Sequence, residues 1–433
     1  MNNTYKKFKV DVLDPISPSF CAAKWLTADF WLHTGVTSSC HLPTPSKIDL
    51  DVSAFDISTF NNTAEKLEQK HLMLDGERPD KCSNCWYIED SNNDAVSHRF
   101  IYSEKYYKKL KYTINDFNDQ TKPVKIRVAF DTLCNFTCSY CDPSQSTSWL
   151  GDVKVHGIYK NIKGDPRYTY QRAGVKDLVD NYDDVYSKFC EYVEYCKDTL
   201  TSISTLGGEP LMSPYFWKFV EYLTTIDFKN KVVLDVTTNL SNKKLIERLL
   251  NTVDNRFILK FTVSIEAVGK QAEFIRYGLE WDTFVNNLNY IVNNTNSEVV
   301  LISTVNNLAT DGLVKFLTWY HQLTTQHNNQ IRIMMYMVRH PSFQSIQALP
   351  QQLKDTYAKE LDFWIKTHII SEELTHYLTG ISSILKQELD KFEDVDISTL
   401  QESAKAFYQE YAKRRNLDIT TTFSEDFANW INT

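Results

Sequence analysis

The sequence is poor in glycine and proline, and it lacks long apolar runs. Glycine and proline each occur 12 times in 433 residues, which excludes a collagen-like, proline-rich or low-complexity chain. The longest apolar runs, such as "KVVLDV" and "EVVLISTV", have the length of strands, whereas a membrane-spanning helix needs roughly 20 apolar residues. The N-terminal "MNNTYKKFKVDVLDP" lacks the apolar core of a signal peptide. We therefore expect a cytoplasmic protein without a membrane partner.

A surplus of basic residues is also missing. The net charge of −8 and the pI near 5.7 argue against a dedicated nucleic-acid binder. One segment, "YSEKYYKKLKYT" at 102–113, interleaves lysines with tyrosines and could touch a phosphate backbone. Its pattern is more typical of a solvated amphipathic segment between domains.

From about residue 123 the sequence alternates between strand-like and helix-like segments. The six strand-like segments are "VKIRVAF", "SISTLGG", "VVLDVTTN", "LKFTVSIEA", "EVVLISTV" and "IRIMMYMV". This alternation predicts an α/β fold with a parallel sheet and right-handed crossovers. It suits a partial (β/α)6 barrel of the TIM type better than a doubly wound sheet, although the pattern alone does not separate the two. In both folds the chemistry is expected at the carboxyl ends of the strands.

The sequence divides into three predicted regions. Residues 1–115 hold four cysteines and lack strong helical periodicity, which indicates a cysteine-rich module. Residues 116–349 would form the barrel, and residues 350–433 read as a C-terminal helical extension. Within the extension, Arg414 and Arg415 would suit an acidic partner, but solvated helix charges are the simpler interpretation.

Three cysteines lie within eight positions of the stretch "DTLCNFTCSYCDPSQ". Cys134, Cys138 and Cys141 are spaced C-x3-C-x2-C and follow the first strand of the repeat. In a reducing cytoplasm, clustered cysteines indicate metal ligands rather than disulfides. Three thiolates can bind three irons of a [4Fe–4S] cluster and leave the fourth iron open to a ligand. A zinc ion with three cysteines and a water is the alternative, and the strand-then-loop context favours the cluster.

This frame, with Tyr140 before the last cysteine, resembles the signature of the radical S-adenosylmethionine (SAM) superfamily. The resemblance covers residues 123–350 or thereabouts. It implies an enzyme in which the amino and carboxylate groups of SAM bind the open iron. An electron then breaks a C–S bond of SAM, and the resulting 5′-deoxyadenosyl radical takes a hydrogen atom from a substrate. A reductant such as a flavodoxin or ferredoxin is implied as a partner.

The same resemblance assigns further residues to SAM, beginning with those after the second and third strands. In "TLGGEP", Gly207 and Gly208 would let the backbone approach a ligand closely, and Glu209 would accept hydrogen bonds from the SAM amine. In "DVTTN", Thr238 and Asn239 lie at the mouth of the third strand. The residue after this Asn is often Gly in the family, and here it is Leu240.

Later strands supply the remaining candidates. In "TVSIEAVG", Ser264 and Glu266 alternate to one face and suit ribose hydroxyls. Arg276 in "EFIRYGLEW" would pair with the SAM carboxylate, with a surface salt bridge as its alternative. In "STVNN", either Asn306 or Asn307 could reach the ligand. The segment "MMYMVRHPSF" could offer backbone groups to the adenine, while Met334 and Met335 themselves are expected in the core.

The remaining clustered cysteines form a second set. Cys21, Cys40, Cys82 and Cys85 have the spacing C-x18-C-x41-C-x2-C, which suits either a structural zinc site or a second [4Fe–4S] cluster. The segments "FCAAKW", "GVTSSCHLP" and "DGERPDKCSNCWYIED" resemble SPASM/twitch modules, which carry auxiliary clusters and usually follow the barrel. The resemblance favours an auxiliary cluster over zinc, with Cys40 as the expected ligand and His41 as the alternative. With four protein ligands, such a cluster would transfer electrons or support the fold.

Other cysteines and histidines are expected to have no ligand role. Cys190 and Cys196 are six residues apart in a helical pattern and are predicted to be buried packing residues. His33, His71 and His98 lack ligand spacing and are expected at the surface or in packing.

Three functions follow from these observations. The arrangement most resembles twitch-domain radical SAM proteins, so the first is a radical SAM enzyme that modifies a peptide or protein. The second is a radical SAM enzyme for a small molecule or nucleotide, marked by a compact pocket that the C-terminal helices close. The third is a non-catalytic scaffold that binds a metal or a cluster. The complete set of Cys134, Cys138 and Cys141 together with Glu209 argues against the scaffold.

Overall fold

A computed structural model of the protein describes residues 2–49, 56–91, 95–163, 179–327, 330–392 and 394–433. The strands, in chain order, are β1 Thr27–Trp31, β2 Val36–Ser38, β3 Ser46–Lys47, β4 Lys125–Ala129, β5 Thr137–Cys138, β6 Ser202–Leu206, β7 Val232–Thr238, β8 Phe257–Ser264, β9 Arg276–Tyr277, β10 Glu298–Val305, β11 Ile331–Met337, β12 Lys391–Phe392 and β13 Val395–Asp396.

The α-helices alternate with the strands in the middle of the chain and follow them at its end. They are α1 Asn2–Phe8, α2 Ala23–Leu26, α3 Ala64–Leu74, α4 Ser83–Ser91, α5 His98–Leu110, α6 Thr147–His156, α7 Tyr182–Tyr195, α8 Pro214–Leu223, α9 Lys243–Thr252, α10 Gly269–Ile275, α11 Trp281–Asn294, α12 Asn307–Thr310, α13 Leu313–Gln326, α14 Gln351–Thr367, α15 Glu372–Leu385, α16 Ile397–Arg415, α17 Ile419–Thr422 and α18 Glu425–Asn432.

The six predicted strands form the centre of one large sheet. Its order is β11-β10-β8-β7-β6-β4-β1-β2-β3, and the six strands from β4 to β11 are parallel neighbours in chain order. The predicted α/β fold with a parallel sheet is therefore confirmed. Among these six strands the order does not reverse direction, as it would at the switch point of a doubly wound sheet.

The two faces of this sheet differ in polarity. In β7 the apolar residues Val232, Leu234 and Val236 are buried, while Asp235 and Thr237 alternate with them and stay half-buried. The strand register places six polar side chains on the same face in one row across neighbouring strands. This polar row consists of Asp29, Arg127, Ser204, Asp235, Lys260 and Glu298.

The N-terminal region extends the large sheet. Strand β1 is parallel to β4, and β2 and β3 follow antiparallel. The region also contains helices α3, α4 and α5, which the weak periodicity of residues 1–115 did not predict. In α3 the buried residues are Lys66, Gln69, Lys70 and Met73, so polar side chains occupy the face that an apolar pattern would normally mark.

Helix α5 contains most of the lysine- and tyrosine-rich segment. Tyr106 and the following Tyr112 are buried in a second core that also holds Phe20, Trp25 and Phe117. The segment is amphipathic as expected, but it does not lie solvated between domains, because Tyr106 and Tyr112 anchor it in the N-terminal core.

Helix α16 of the C-terminal extension packs on the loop that follows β4. Arg414 and Arg415 form ion pairs with Asp152 at 2.9 and 3.2 Å, and their side chains are only 4% and 3% exposed. Arg415 Nε also donates a hydrogen bond to Thr137 Oγ1 at 3.0 Å. The interpretation of these arginines as solvated helix charges is therefore wrong, because they join the C-terminal extension to α6 and to the loop.

Several smaller predictions can be compared with the fold. Cys190, Cys196 and Met335 are buried as expected, whereas Met334 is half-buried. The helix-like run "VKDLVDNYDDVYSKFCEYVEYC" predicts a helix from residue 175. The observed helix α7 begins at Tyr182, and residues 175–178 lie outside the described part of the chain. Among the helices of the described residues, none combines the length and apolar character that crossing a bilayer requires.

Candidate functional site

The cysteine loop, residues 131–146, follows β4 and packs against the end of β6. The backbone N–H of Glu209 donates to the carbonyl of Leu133 at 2.7 Å. A Cβ atom on Gly208 would lie 2.4 Å from the oxygen of Leu133, and one on Gly207 would lie 2.7 Å from the oxygen of Asp131. The two glycines were expected to make room for a ligand, but the close neighbour is the backbone of the cysteine loop itself.

Side chains from three other parts of the chain hold the centre of this loop. The carbonyl groups of residues 137, 138 and 139 accept hydrogen bonds from Tyr411 Oη at 2.7 Å, Trp149 Nε1 at 2.9 Å and Gln344 Nε2 at 2.8 Å. All three donor side chains are buried. Because these donors are fixed by packing, the position of Cys138 is set before any ligand binds.

The three thiols of the loop lie close to one another. Burial raises the pKa of each thiol, to about 12 for Cys138, and the neighbouring thiols raise the pKa of Cys138 and Cys141 further. The N–H of Phe136 points to Cys134 Sγ at 3.5 Å. Without a metal these thiols keep their protons at neutral pH, so binding of a metal or cluster would release protons.

A buried polar group lies on one side of the thiols. Arg276 in β9 is the register partner of Cys138 in β5. Its Nη1 atom donates to Tyr140 Oη and to Glu266 Oε2, the latter at 3.3 Å, and Tyr140 Oη donates to the same carboxylate oxygen at 3.0 Å. Since all the charged atoms of this group are buried, a surface salt bridge does not describe Arg276.

Two polar atoms of this group remain without a partner. In the described part of the chain, Arg276 Nε and Glu266 Oε1 are buried and have no hydrogen-bond partner. Buried polar atoms are normally paired, so these two atoms mark a place for a polar ligand beside Cys138.

A second polar group lies on the other side of the loop. Glu209 Oε2 accepts a hydrogen bond from the N–H of Asn239 at 2.6 Å, and Asn239 Nδ2 donates to Asn135 Oδ1 at 2.8 Å. Thr238 is buried next to them. Burial raises the pKa of Glu209 to about 7, and a bound ammonium group would favour its charged form.

Leu240, which stands where the family often has glycine, has a left-handed backbone with φ of +60°. This conformation is strained for a branched residue. It is held by two hydrogen bonds, from the Leu240 N–H to Thr238 Oγ1 at 3.0 Å and from Asn287 Nδ2 to the Leu240 carbonyl at 2.8 Å. The conformation thus suits a glycine, and the buried leucine side chain is accommodated by packing.

The remaining SAM candidates lie farther along the strand ends. Ser264 ends β8 and is half-buried. Asn306 caps α12, where its Oδ1 accepts from the N–H of Ala309 at 3.0 Å, and Asn307 Nδ2 donates to the carbonyl of Phe343 at 2.9 Å. Both asparagines therefore use their amides within the protein, and contact with a ligand would require these bonds to break.

An open pocket of about 550 Å³ lies beside the second polar group. It is bounded by the ends of β6 and β7 and by helices α8 and α9. Its lining residues include Asn135, Glu209, Thr238, Trp217 and Arg248. Its size is within the range of small-ligand sites.

The four N-terminal cysteines, far apart in sequence, line a single pocket. Burial raises the pKa of Cys21 and Cys40 to about 12 and that of Cys85 to about 11, and Cys82 lines the same wall. The nearby backbone N–H groups of Ala23, Leu42 and Arg99 act against burial and lower the pKa of Cys21, Cys40 and Cys85 respectively. Backbone N–H groups directed toward a sulfur favour the thiolate form that a metal requires.

The histidines near this pocket have different surroundings. Cys40 lines the pocket, while burial lowers the pKa of the adjacent His41 to about 4. His98 also lines the pocket and lies 5.6 Å from the ring of His41, so it is closer to the thiols than its sequence position indicated. His33 is buried, and His71 is exposed and bonded to Asp119 at 3.0 Å.

Neither cysteine set converges on a single point. In the ranges that the structure describes, no three His, Cys, Asp or Glu side chains form a group that would hold one metal ion as they stand. A single zinc ion needs sulfurs at about 2.3 Å from one centre. A four-iron cube binds each thiolate at a different iron and therefore accepts a wider spread.

No family model matches this chain, and neither does any curated protein. The functional argument therefore depends on the residues and geometry described above.

Removing the guanidinium of Arg276 is expected to destabilise the fold. In Arg276→Met the buried carboxylate of Glu266 loses its cation. Such a loss typically lowers the free energy of unfolding by about 3–5 kcal/mol. Urea unfolding of the purified protein measures this loss. The double variant Arg276→Met/Glu266→Gln should recover most of it, because no buried charge then remains. An Arg276→Met protein as stable as the wild type would show that the pair does not hold this site together.

Proposed function

We propose that the chain is a radical SAM enzyme whose reaction takes place at the cysteine loop. The observation that carries this proposal is the pair of polar groups flanking three close thiols. One of these groups leaves Arg276 Nε and Glu266 Oε1 buried without partners in the described residues. A cluster on the thiols and an amino acid beside it would use these atoms.

The roles of the residues follow from their positions. Cys134, Cys138 and Cys141 would hold a [4Fe–4S] cluster, which when bound with SAM would supply the one-electron cleavage that yields a 5′-deoxyadenosyl radical. Arg276 Nε is the donor for the carboxylate of SAM, and Glu209 is the acceptor for its amine. Tyr411, Trp149 and Gln344 fix the loop backbone, and their burial keeps water away from it.

We infer that the large sheet curves into a partial (β/α)6 barrel. The sequential order of its six parallel strands supports this inference. So does the position of the cysteine loop, Glu209 and Asn239 after the carboxyl ends of three of these strands, which is where barrels carry their chemistry.

At the N-terminal set we propose an auxiliary [4Fe–4S] cluster bound by Cys21, Cys40, Cys82 and Cys85. The pocket that the four cysteines share supports a metal centre of either kind. The resemblance to SPASM/twitch modules favours the cluster over zinc. A flavodoxin or ferredoxin remains the proposed reductant.

The substrate is proposed to be a peptide or protein, on the resemblance alone. One observation favours a small molecule instead. Helix α16 packs directly on the cysteine loop, with Tyr411 Oη bonded to the carbonyls of Thr137 and Phe274 at 2.7 and 3.2 Å. This cover leaves a macromolecule less access to the cysteine loop.

Metal analysis of the anaerobically purified full-length protein tests the proposal. We expect about eight irons and eight sulfides per chain, and 5′-deoxyadenosine after addition of SAM and dithionite. About four irons with one zinc, together with nucleoside formation, would support the radical chemistry at the cysteine loop. The same result would show that the N-terminal site is a structural zinc site. No iron and no nucleoside, even after cluster reconstitution, would favour the non-catalytic scaffold.

A further inference from the structure

Three buried lysines lie behind the N-terminal cysteine pocket. Lys66 and Lys70 are about one turn apart on the buried face of α3, which also carries Gln69. Lys24 of α2 joins this face, because its Nζ atom donates a hydrogen bond to Gln69 Oε1. Each of the three lysines is at most 3% exposed. We call Lys24, Lys66 and Lys70 the lysine cluster.

The lysine cluster is connected directly to the cysteine pocket. Lys24 lines this pocket together with Cys21 and Cys40, and Met73 of α3 lines it as well. The carbonyl of Lys24 also accepts a hydrogen bond from Ser39 Oγ at 3.3 Å, next to Cys40 in the chain. Lys24 is therefore part of the pocket wall, and the other two lysines lie on the helix that holds its ammonium group.

The ammonium groups of the lysine cluster are bonded to neutral side chains. Lys66 Nζ donates to Asn61 Oδ1, and Lys70 Nζ donates to Asn62 Oδ1 at 2.7 Å. Lys24 likewise uses the amide of a glutamine. In the part of the chain that the structure describes, no member of the lysine cluster forms an ion pair with a carboxylate.

The carboxylates whose charges reach the lysine cluster belong to other ion pairs. These carboxylates are Asp29, Glu65 and Asp119. Asp29 accepts a hydrogen bond from Arg127 Nε at 2.7 Å. Glu65 and Asp119 pair with other cationic side chains, and their own side chains are 44% and 46% exposed. Solvent therefore screens their effect on the buried amines.

Buried ammonium groups with neutral partners alone are unfavourable. Burial and the charges of the neighbouring lysines lower the pKa of Lys66, and burial lowers the pKa of Lys70 to about 8 although Asp119 acts in the opposite direction. An anionic group in the adjacent pocket would favour the charged form of these amines. The polar wall of the pocket thus matches a negatively charged occupant.

We infer that the lysine cluster is the counter-charge of the metal group bound by the four N-terminal cysteines, and that it raises the reduction potential of the auxiliary cluster. This inference rests on the proposed auxiliary cluster. Four thiolates outweigh the positive charge of a zinc ion or of an oxidised four-iron cube, so either bound group is anionic.

The sign of the effect on the potential follows from charge. Reduction adds one electron to a cube, and the net charge around a cluster is one of the properties that set its potential. Positive charge beside the pocket stabilises the reduced form more than the oxidised form. The auxiliary cluster would therefore accept an electron more readily, which favours a role in electron transfer over a purely structural role.

Redox titration of the anaerobically purified full-length protein, followed by electron paramagnetic resonance, tests this inference. The signal to follow is the one that Cys82→Ala removes. We expect Lys24→Met to disfavour reduction of this cluster about tenfold, which corresponds to a potential about 59 mV more negative. Lys66→Met should lower the potential by a smaller amount, because Lys66 lies behind Lys24. Lys24→Arg keeps the charge and should retain the wild-type potential.

Lys47→Met is the matched control. Lys47 is an exposed lysine of β3 in the same N-terminal region, so solvent screens its charge and the potential should not change. A shift in this control as large as that in Lys24→Met would contradict a special role of the buried lysines. Urea unfolding checks that the variants fold, and Lys66→Met decides the question if Lys24→Met does not.

The possible failures are distinguishable. An unshifted potential in Lys24→Met and Lys66→Met, with iron retained, would overturn the inference and leave the auxiliary cluster in place. Zinc in place of iron would refute the auxiliary cluster, and competition with a zinc chelator would then test the lysines. In that case Lys24→Met should bind zinc about tenfold more weakly, and equal affinity would overturn the inference. A pocket that binds neither metal would overturn both proposals.

Discussion

Replacement of Cys138 with alanine is expected to remove about four irons per chain and to abolish formation of 5′-deoxyadenosine. Cys138 is the central thiol of the loop, and it is the register partner of Arg276. A four-iron cluster held by only two cysteines would lose its attachment, and SAM would lose its place beside Arg276. Iron analysis and a nucleoside assay with dithionite measure both effects.

The fold should survive this substitution. The backbone of Cys138 stays bonded through Trp149 Nε1, and the neighbouring carbonyls stay bonded to Tyr411 and Gln344. Cys190→Ala is the matched control, because Cys190 is equally buried but lies in α7 outside both cysteine sets. Normal iron and nucleoside formation in Cys138→Ala would refute the assignment of the cysteine loop.

The second large effect is expected at the N-terminal cysteine pocket. Cys82→Ala should remove about four irons per chain while the cluster at the cysteine loop remains. The reason is that Cys82 shares its pocket with Cys21, Cys40 and Cys85, and a closed cluster requires all four thiolates. Iron and zinc analysis, with electron paramagnetic resonance of the reduced protein, measures the loss of one signal and the retention of the other.

Zinc would give a different result in the same experiment. Unchanged iron with loss of one zinc in Cys82→Ala would show that the N-terminal site is a structural zinc centre. Cys196→Ala serves as the control, because Cys196 is buried at the end of α7 and lines neither site. Loss of metal in that control would show that any buried cysteine affects the metal content, and the assignment by pocket would fail.

The sequence predicted the central strands well because the residue pattern that indicates each strand lies within the strand itself. Each strand carries its own apolar segment, and the loop after β4 carries all three cysteines within eight positions. The helices of the N-terminal region were missed for a physical reason. Helix α3 buries Lys66, Gln69 and Lys70, which bond to buried asparagines and other polar groups instead of to solvent. An apolar pattern cannot reveal a helix whose buried face is polar.

The candidate site was predictable in its residue types but not in its contacts. Arg276 and Glu266 were both singled out, yet their pairing with Tyr140 depends on the β5–β9 contact, which no local pattern encodes. The same holds for Tyr411 and Arg415. They looked like ordinary helix residues, and only the folded chain brings them to Thr137.

The contact between α16 and the cysteine loop has a consequence for biosynthesis. Tyr411 and Arg415 are added to the chain 274 and 278 residues after Thr137. At the usual rate of translation this interval lasts roughly 15–55 s. For most of this interval the cysteines are outside the ribosome while their covering helix has not been made. A cofactor delivered during translation would therefore meet an uncovered loop, and completion of the C-terminus would close it in.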